Sequence, residues 1–219
     1  MPLMSKAGKK GQDFEPIPEG THIARCVTVV DFGLQEKIWK GKTKLNPQVW
    51  IAFEIPGFRV EFERDDKQVE GPGIIGSTYT NSIHENAVLG QHLTSWRGRS
   101  FTDEQREGGF DLFSILDVPC MISVTHNIVE GRTKPYANIS SIMGLPKGTV
   151  APDRETPLMK YSPFDGDTIG NLAKLPDWMK EKIEVGAIHA GKTAPNTVTG
   201  SAEEEPPMSG TDFDDDIPF

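Results

Sequence analysis

One seven-residue stretch, residues 49–55, constrains the fold more than any other part of the chain. Val49, Ile51, Phe53 and Ile55 occupy every second position, with Trp50, Ala52 and Glu54 between them. A β-strand places alternate residues on one face, so the stretch predicts a strand with one buried side. Trp50 falls on the opposite side, where we expect the indole to be partly exposed unless a loop packs over it.

Further strands are predicted from β-branched residues, alternation and flanking turns. They cover residues 21–30, 58–63, 74–81, 120–126 and 136–143. Pro56 and Gly57 should close the strand at 49–55, so that residues 58–63 return beside it as a hairpin.

Between residues 84 and 116 the apolar spacing becomes helical. Thr102 and Gln105 fit a capping box that opens a second short helix in this region. Strands, a helical insertion and two more strands form the order of a five-stranded Greek-key barrel of the oligonucleotide-binding (OB) kind. We therefore predict a mainly β, OB-fold-like domain with a helical insertion over residues 15–148.

The negative charge of the chain is concentrated near residue 219. The net charge is −9, and residues 193–219 hold seven carboxylate side chains and no lysine or arginine. The remaining residues therefore carry only −2, which is compatible with a local basic groove. The predicted segments outside the domain are a flexible basic N-terminus (1–14), an extension with a short helix at 175–183 (149–185), a disordered linker (186–211) and an acidic tip (212–219).

The acidic tip combines charged and apolar side chains beside a terminal carboxylate. Its residues are Asp212, Phe213, Asp214, Asp215, Asp216, Ile217, Pro218 and Phe219. A plain acidic tail would only solvate the chain, whereas Phe219 can enter an apolar pocket while a basic side chain binds its carboxylate. Pro218 keeps the end extended, which lowers the entropy lost on docking.

The acidic tip resembles the C-terminal tip of bacterial single-stranded DNA-binding proteins (SSB), as does the layout of domain, linker and tip. In that family the terminal Ile-Pro-Phe recruits replication, recombination and repair proteins. The resemblance implies these proteins and single-stranded DNA as partners, and a role in coating and protecting single strands. The body lacks the early Asn and Gly-x-Leu pattern of the family, and the linker is short. A phage- or plasmid-encoded analogue in the bacterial host cytoplasm fits both observations.

A basic segment around an aromatic residue is the first candidate for the DNA interface. Residues 37–44 place four lysines around Trp39, at Lys37, Lys40, Lys42 and Lys44. Single strands are bound by cations at the phosphates and by flat rings on which bases stack. In an OB barrel this segment joins the first two strands and lines the groove. The alternative is an ordinary lysine-rich turn.

Four further residues complete the predicted groove. Trp50 and Tyr79 offer rings, and Arg97 and Arg99 offer guanidinium groups. Trp96 completes the helical apolar stripe, so we expect it in the core. The acidic tail should compete with DNA for the groove, because charges interact over about 8–10 Å at physiological salt.

The patterns of catalytic and cofactor sites are absent from the sequence. The five histidines are scattered without metalloprotease, nucleophile-elbow or Walker spacing, and Cys26 and Cys120 fit buried strand positions. We expect no enzyme activity, metal, cofactor or membrane span, and a cytoplasmic location. The alternative function is a recombination mediator, annealing protein or adaptor that engages host replication proteins through the tip. A homo-oligomer is compatible with either function.

Overall fold

The computed structural model describes residues 15–39, 41–64, 67–128 and 134–192, and shows a mainly β protein with one six-stranded sheet. The strands are β1 (Gly20–Trp39), β2 (Lys42–Arg64), β3 (Lys67–Thr80), β4 (Pro119–Asn127), β5 (Tyr136–Met143) and β6 (Met159–Tyr161). The helices are α1 (Val88–Arg97), α2 (Asp103–Gly108), α3 (Asp177–Lys192) and two 3₁₀ helices, Leu112–Ile115 and Ile169–Lys174.

Strand β1 lies at the centre of the sheet, whose order is β3-β2-β1-β4-β5. One edge of β1 pairs antiparallel with β2 from Arg25 to Trp39. The other edge pairs antiparallel with β4 over residues 20–25 and parallel with β6 over residues 28–30. Register shifts after Cys26 and after Asp31 mark bulges, which bend a strand and increase its twist.

Strand β2 differs from the prediction. Pro56 and Gly57 do not end it, and residues 58–63 continue the same strand instead of folding back on residues 49–55. They pair with β3 across a register shift between Ile55 and Arg59. A proline has no N–H to donate to the ladder, and such an irregularity accommodates it. Pro56 and Gly57 therefore mark a bulge within β2 and not the turn of a hairpin.

The strands predicted at 21–30 and 74–81 are longer in the structure, as β1 and β3, whereas several other local predictions are confirmed. Strand β5 has the predicted bounds, and the capping box of α2 is formed, with both the Thr102 and the Gln105 side chains bonded to backbone N–H groups. The helix predicted at 175–183 is present as α3 but extends to Lys192. The predicted linker is therefore wrong for residues 186–192, while the rest of it and the acidic tip lie outside the described residues.

A first core fills one face of the sheet. The alternating residues Ile51 and Phe53 lie in it, together with the two cysteines, and α1 closes it with Leu93 and Trp96. Trp96 is buried as predicted, and its ring N–H donates to the Pro119 carbonyl at 2.9 Å. Both cysteines are free, and burial raises the pKa of each thiol, which makes them unreactive hydrophobes.

A second core covers the opposite face, where β1 and β2 meet the extension, which we define as residues 149–192. Its buried members are Val30, Phe32, Trp50, Ala52, Tyr161, Leu175, Met179 and Ile183. The Trp178 ring of α3 packs edge-on against Trp50, with 5.3 Å between ring centroids. A fully buried aliphatic or phenyl side chain such as Val30 or Phe32 contributes about 1.5–3 kcal/mol.

A buried carboxylate fixes the start of the extension. Glu54 is fully buried on β2, and its two carboxylate oxygens accept the backbone N–H groups of Glu155 at 3.0 Å and Thr156 at 2.6 Å. A buried charge is tolerated when backbone donors satisfy it. The extension is thus attached to β2 by both polar and apolar contacts.

Gly76 tests the fit of the second core. A Cβ added there would lie 2.1 Å from Cζ2 of Trp50, whereas one added at Gly57 would meet nothing within 4 Å. We expect Gly76→Ala to destabilise the fold by about 1–3 kcal/mol through overpacking. Gly57→Ala should leave stability nearly unchanged. Urea unfolding measures both, and equal midpoints for the two variants would contradict this packing.

Candidate nucleic-acid interface

The end of β1 and the start of β2 form a two-stranded hairpin that we call the lysine arm, residues 34–47. Lys37 pairs with Lys44, and Trp39 pairs with Lys42. Directly opposed residues share a face of the ladder, so three lysines and position 39 lie on the same side. Lys42 and Lys44 are exposed and Lys37 is half-buried. Lys40 and the side chain of Trp39 lie outside the described residues.

The charges of the lysine arm oppose one another. Like charges placed directly opposite on neighbouring strands destabilise the pair. Lys37 and Lys44 occupy such positions, with Lys42 two residues before Lys44 on the same side. The three lysines concentrate positive charge on one face of the arm, and ammonium groups are donors suited to phosphate.

A polar track continues from the lysine arm onto the sheet. Alternate positions of β2 carry Lys44, Asn46 and Gln48, and Gln48 pairs with Thr80 of β3. Asn46, Gln48 and Thr80 are half-buried. This track is not part of the groove predicted from the sequence, although polar residues at every second position from 42 to 48 indicate it. Amides and hydroxyls there can bind sugars, phosphates or base edges.

Trp50 does not belong to this exposed surface. It is only 3% exposed, because the extension covers the side of β2 on which it lies. Its ring lies across Gly76 and is sealed by Trp178. The expectation of partial exposure is therefore wrong, and in this conformation the Trp50 ring is closed to a stacking base.

Tyr79 is also enclosed, in the first core. It is 5% exposed, and its hydroxyl lies 3.2 Å from Nδ1 of His92. Burial raises the pKa of the Tyr79 hydroxyl. Its position on β3 places the ring on the face opposite to Thr78 and Thr80, away from the polar track. The structure thus does not bring Tyr79 together with the lysines.

The two predicted arginines lie in another part of the fold. Arg97 packs on Phe101, with its guanidinium carbon 4.3 Å from the ring centroid, and donates to Gln105. Burial, and then the charge of Arg99, lower the pKa of Arg97. Arg99 is exposed. Because the neighbouring Trp96 contacts the start of β4, beside the first part of β1, these arginines are not grouped with the lysine arm.

Other kinds of site have little support in the described ranges. No group of three or more His, Cys, Asp or Glu side chains there is arranged to hold a metal. No helix in those ranges is long and apolar enough to cross a membrane. An open groove of about 330 Å³ lies beside α1, lined by Ile83, Glu85, Gln91, Thr94, Ser95, Ser100 and Arg106. None of the predicted DNA contacts lines it.

The chain was also compared with models of known families and with curated proteins. The chain matches no family model, and no curated protein matches it either.

His92 should make the stability of the first core depend on pH. Burial lowers the pKa of His92 by more than its hydrogen bond with the Ser140 backbone raises it, and Nδ1 of the ring lies 3.2 Å from the Tyr79 hydroxyl. The unfolded chain, with a histidine pKa of about 6.5, therefore binds the proton first. Stability should fall as the pH drops below about 6.5.

Urea unfolding at several pH values between 5 and 8 measures this effect. The wild type should lose stability on the acid side, and His92→Gln should lose less between the same pH values, although it is less stable overall. An equal acid-side loss in both proteins would rule out His92 as the source.

Proposed function

We propose that this chain is a non-enzymatic protein that binds single-stranded DNA through the lysine arm and recruits replication, recombination and repair proteins through the acidic tip. The observation that carries the proposal is the shared face of Lys37, Lys42 and Lys44 on a projecting hairpin. This surface supplies the cations that a phosphate backbone requires.

The finer fold assignment, an OB barrel, belongs to the same proposal. Three strands, a helical region and two strands follow one another as in that fold, and β1 is shared by β2 and β4. The connection between the first two strands is a usual wall of the OB groove. Here that connection carries the lysines. Strand β6 and α3 are additions beyond the five-stranded pattern.

Binding would proceed from the lysines inward. The ammonium groups attract the phosphates and release counterions, which makes the affinity strongly dependent on salt. A base can stack at position 39, while Asn46, Gln48 and Thr80 offer hydrogen bonds along the polar track. The acidic tip then binds partner proteins through Phe219 and its carboxylate.

The adaptor function remains the second candidate, and one observation favours it. Two of the three rings predicted to stack on bases, Trp50 and Tyr79, are buried in the two cores. An adaptor needs the acidic tip but not a stacking surface. DNA binding by the lysine arm is therefore the property that separates the two functions.

Replacing the arm lysines tests DNA binding. We expect Lys37→Ala/Lys42→Ala/Lys44→Ala to weaken binding of oligo-dT by roughly 50-fold near 0.15 M salt, and to reduce the slope of log K against log salt by about 2. Tryptophan fluorescence of the wild type should be quenched by oligo-dT, and Trp39→Phe should lose most of that quenching. Fluorescence titration at several salt concentrations measures both.

A matched triple variant controls for net charge. Lys67, Lys147 and Lys174 lie outside the arm, and their replacement by alanine removes the same three charges. This variant should keep most of the affinity and the salt slope. Absence of oligo-dT binding by the wild type would exclude the coating function and favour the adaptor. Equal losses in the two triple variants would show a general charge effect without an interface at the arm.

Deleting residues 193–219 tests the coupling between tail and DNA. The segment carries −7 and would compete with DNA for the lysine arm, so its deletion should raise the affinity for oligo-dT at low salt. The gain should shrink as salt is added. Titrations of both proteins at two salt concentrations measure it, and unchanged affinity at low salt would contradict the competition.

A further inference from the structure

The lysine arm has little support from the rest of the sheet. Strand β3 pairs with β2 only as far as Gln48, with one further backbone bond from Asn81 to the Pro47 carbonyl at 2.7 Å, and β6 pairs with β1 only as far as Val30. Beyond these points the described strand pairing of the arm is between β1 and β2 alone. A two-stranded hairpin is marginally stable in water without further contacts. Its orientation therefore requires a contact from outside the sheet.

Helix α3 makes that contact at the base of the arm. Gly186 lies so close to β1 that a Cβ added to it would be 1.8 Å from the Phe32 carbonyl oxygen. Gly33 of β1 has a φ of +68°, and a Cβ added to it would lie 3.3 Å from the carbonyl carbon of Gly186. Only glycine permits this approach, since any side chain at position 186 would separate α3 from the β1 bulge at residues 31–33.

Polar contacts extend the attachment into the arm. The Gln35 amide nitrogen donates to the Phe32 carbonyl at 2.7 Å and to the Lys182 carbonyl of α3 at 2.8 Å. His189 of α3 places Nδ1 2.9 Å from the Leu34 carbonyl and Nε2 3.2 Å from a Glu36 carboxylate oxygen. Backbone and side-chain groups of three successive arm residues are thus bound to one helix.

The other end of α3 is held in the second core. Trp178 packs edge-on against Phe32 and Trp50, and Met179 and Ile183 are buried beside them. The helix therefore connects a rigid core to the base of a weakly supported hairpin. Because α3 is rigid and contacts both, the position of the second core fixes the position of the base of the lysine arm.

We infer that α3 is a strut that sets the orientation of the lysine arm, with Gly186 as the positioning residue that lets the helix reach the β1 bulge. The strut itself follows from the contacts alone. Its consequence for DNA rests on the proposed function: an arm held in place loses less conformational entropy when it binds a strand.

Gly186→Ala tests the strut, and Gly191→Ala is its matched control. Both replace a glycine of α3 by the same residue, but a Cβ at Gly191 meets nothing within 4 Å. Amide hydrogen exchange of the full chain measures the hydrogen-bonded amides of the arm against those of residues 49–53. We expect Gly186→Ala to lower arm protection by about tenfold or more, with a smaller change at 49–53. Gly191→Ala should change neither.

Two results would overturn the strut. Unchanged arm protection in Gly186→Ala would show that the arm holds its position without the helix. An equal loss in the arm and at 49–53 would show a general loss of stability. Should Gly186→Ala fail to fold, Gln35→Ala removes the bond to Lys182 while leaving the helix seated, and the same two outcomes decide.

Oligo-dT binding separates the strut from the proposed function. Gly186→Ala should bind oligo-dT severalfold more weakly than Gly191→Ala, because ordering the arm on binding loses more conformational entropy. Both variants should show the same salt slope, because both retain the lysines. A wild-type chain that binds no oligo-dT would end the proposed function. The exchange measurement would still decide the strut.

Discussion

The structure depends on β1, because both edges and both faces of this strand are occupied. Strand β2 follows one edge, while β4 and then β6 follow the other. Cys26 and Val29 point into the first core, and Val30 and Phe32 into the second. Successive side chains of a strand face opposite sides of the sheet, so one strand can serve both cores, and the bulge after Cys26 shifts this alternation by one residue. The lysine arm is its continuation and takes its direction from it.

Features that depend on near neighbours in the chain could be predicted from the sequence. The period of two identified the face that Ile51 and Phe53 bury, and the helical period placed Trp96 in the core. The capping box at Thr102 is set by residues three positions apart. The sequence predicts residues 37–44 as a strand connection, whereas Lys37, Lys42 and Lys44 lie in the ladder of β1 and β2.

Features that depend on distant segments could not be predicted in this way. Alternation shows that Trp50 faces away from Phe53, but only the extension, more than a hundred residues later, decides that this second face is buried. Glu54 is a second example. A charged residue in mid-strand suggests exposure to solvent, yet backbone N–H groups at residues 155 and 156 donate to its buried carboxylate. Strands buried on both faces read as near-continuous apolar runs, and here Glu54 interrupts the run at residues 49–55.

Burial of the aromatic residues limits the kind of DNA binding that we propose for this surface. Rings at Trp50 and Tyr79 would each have added about 1–3 kcal/mol of stacking, and they stabilise the two cores instead. The lysine arm and the polar track then leave phosphate charge as the main attraction, which is independent of base identity. The affinity of such binding depends on how well the lysines are positioned, because a lysine contributes little binding free energy unless it contacts a phosphate. The contact between α3 and the β1 bulge thus matters for the same reason that the lysines do.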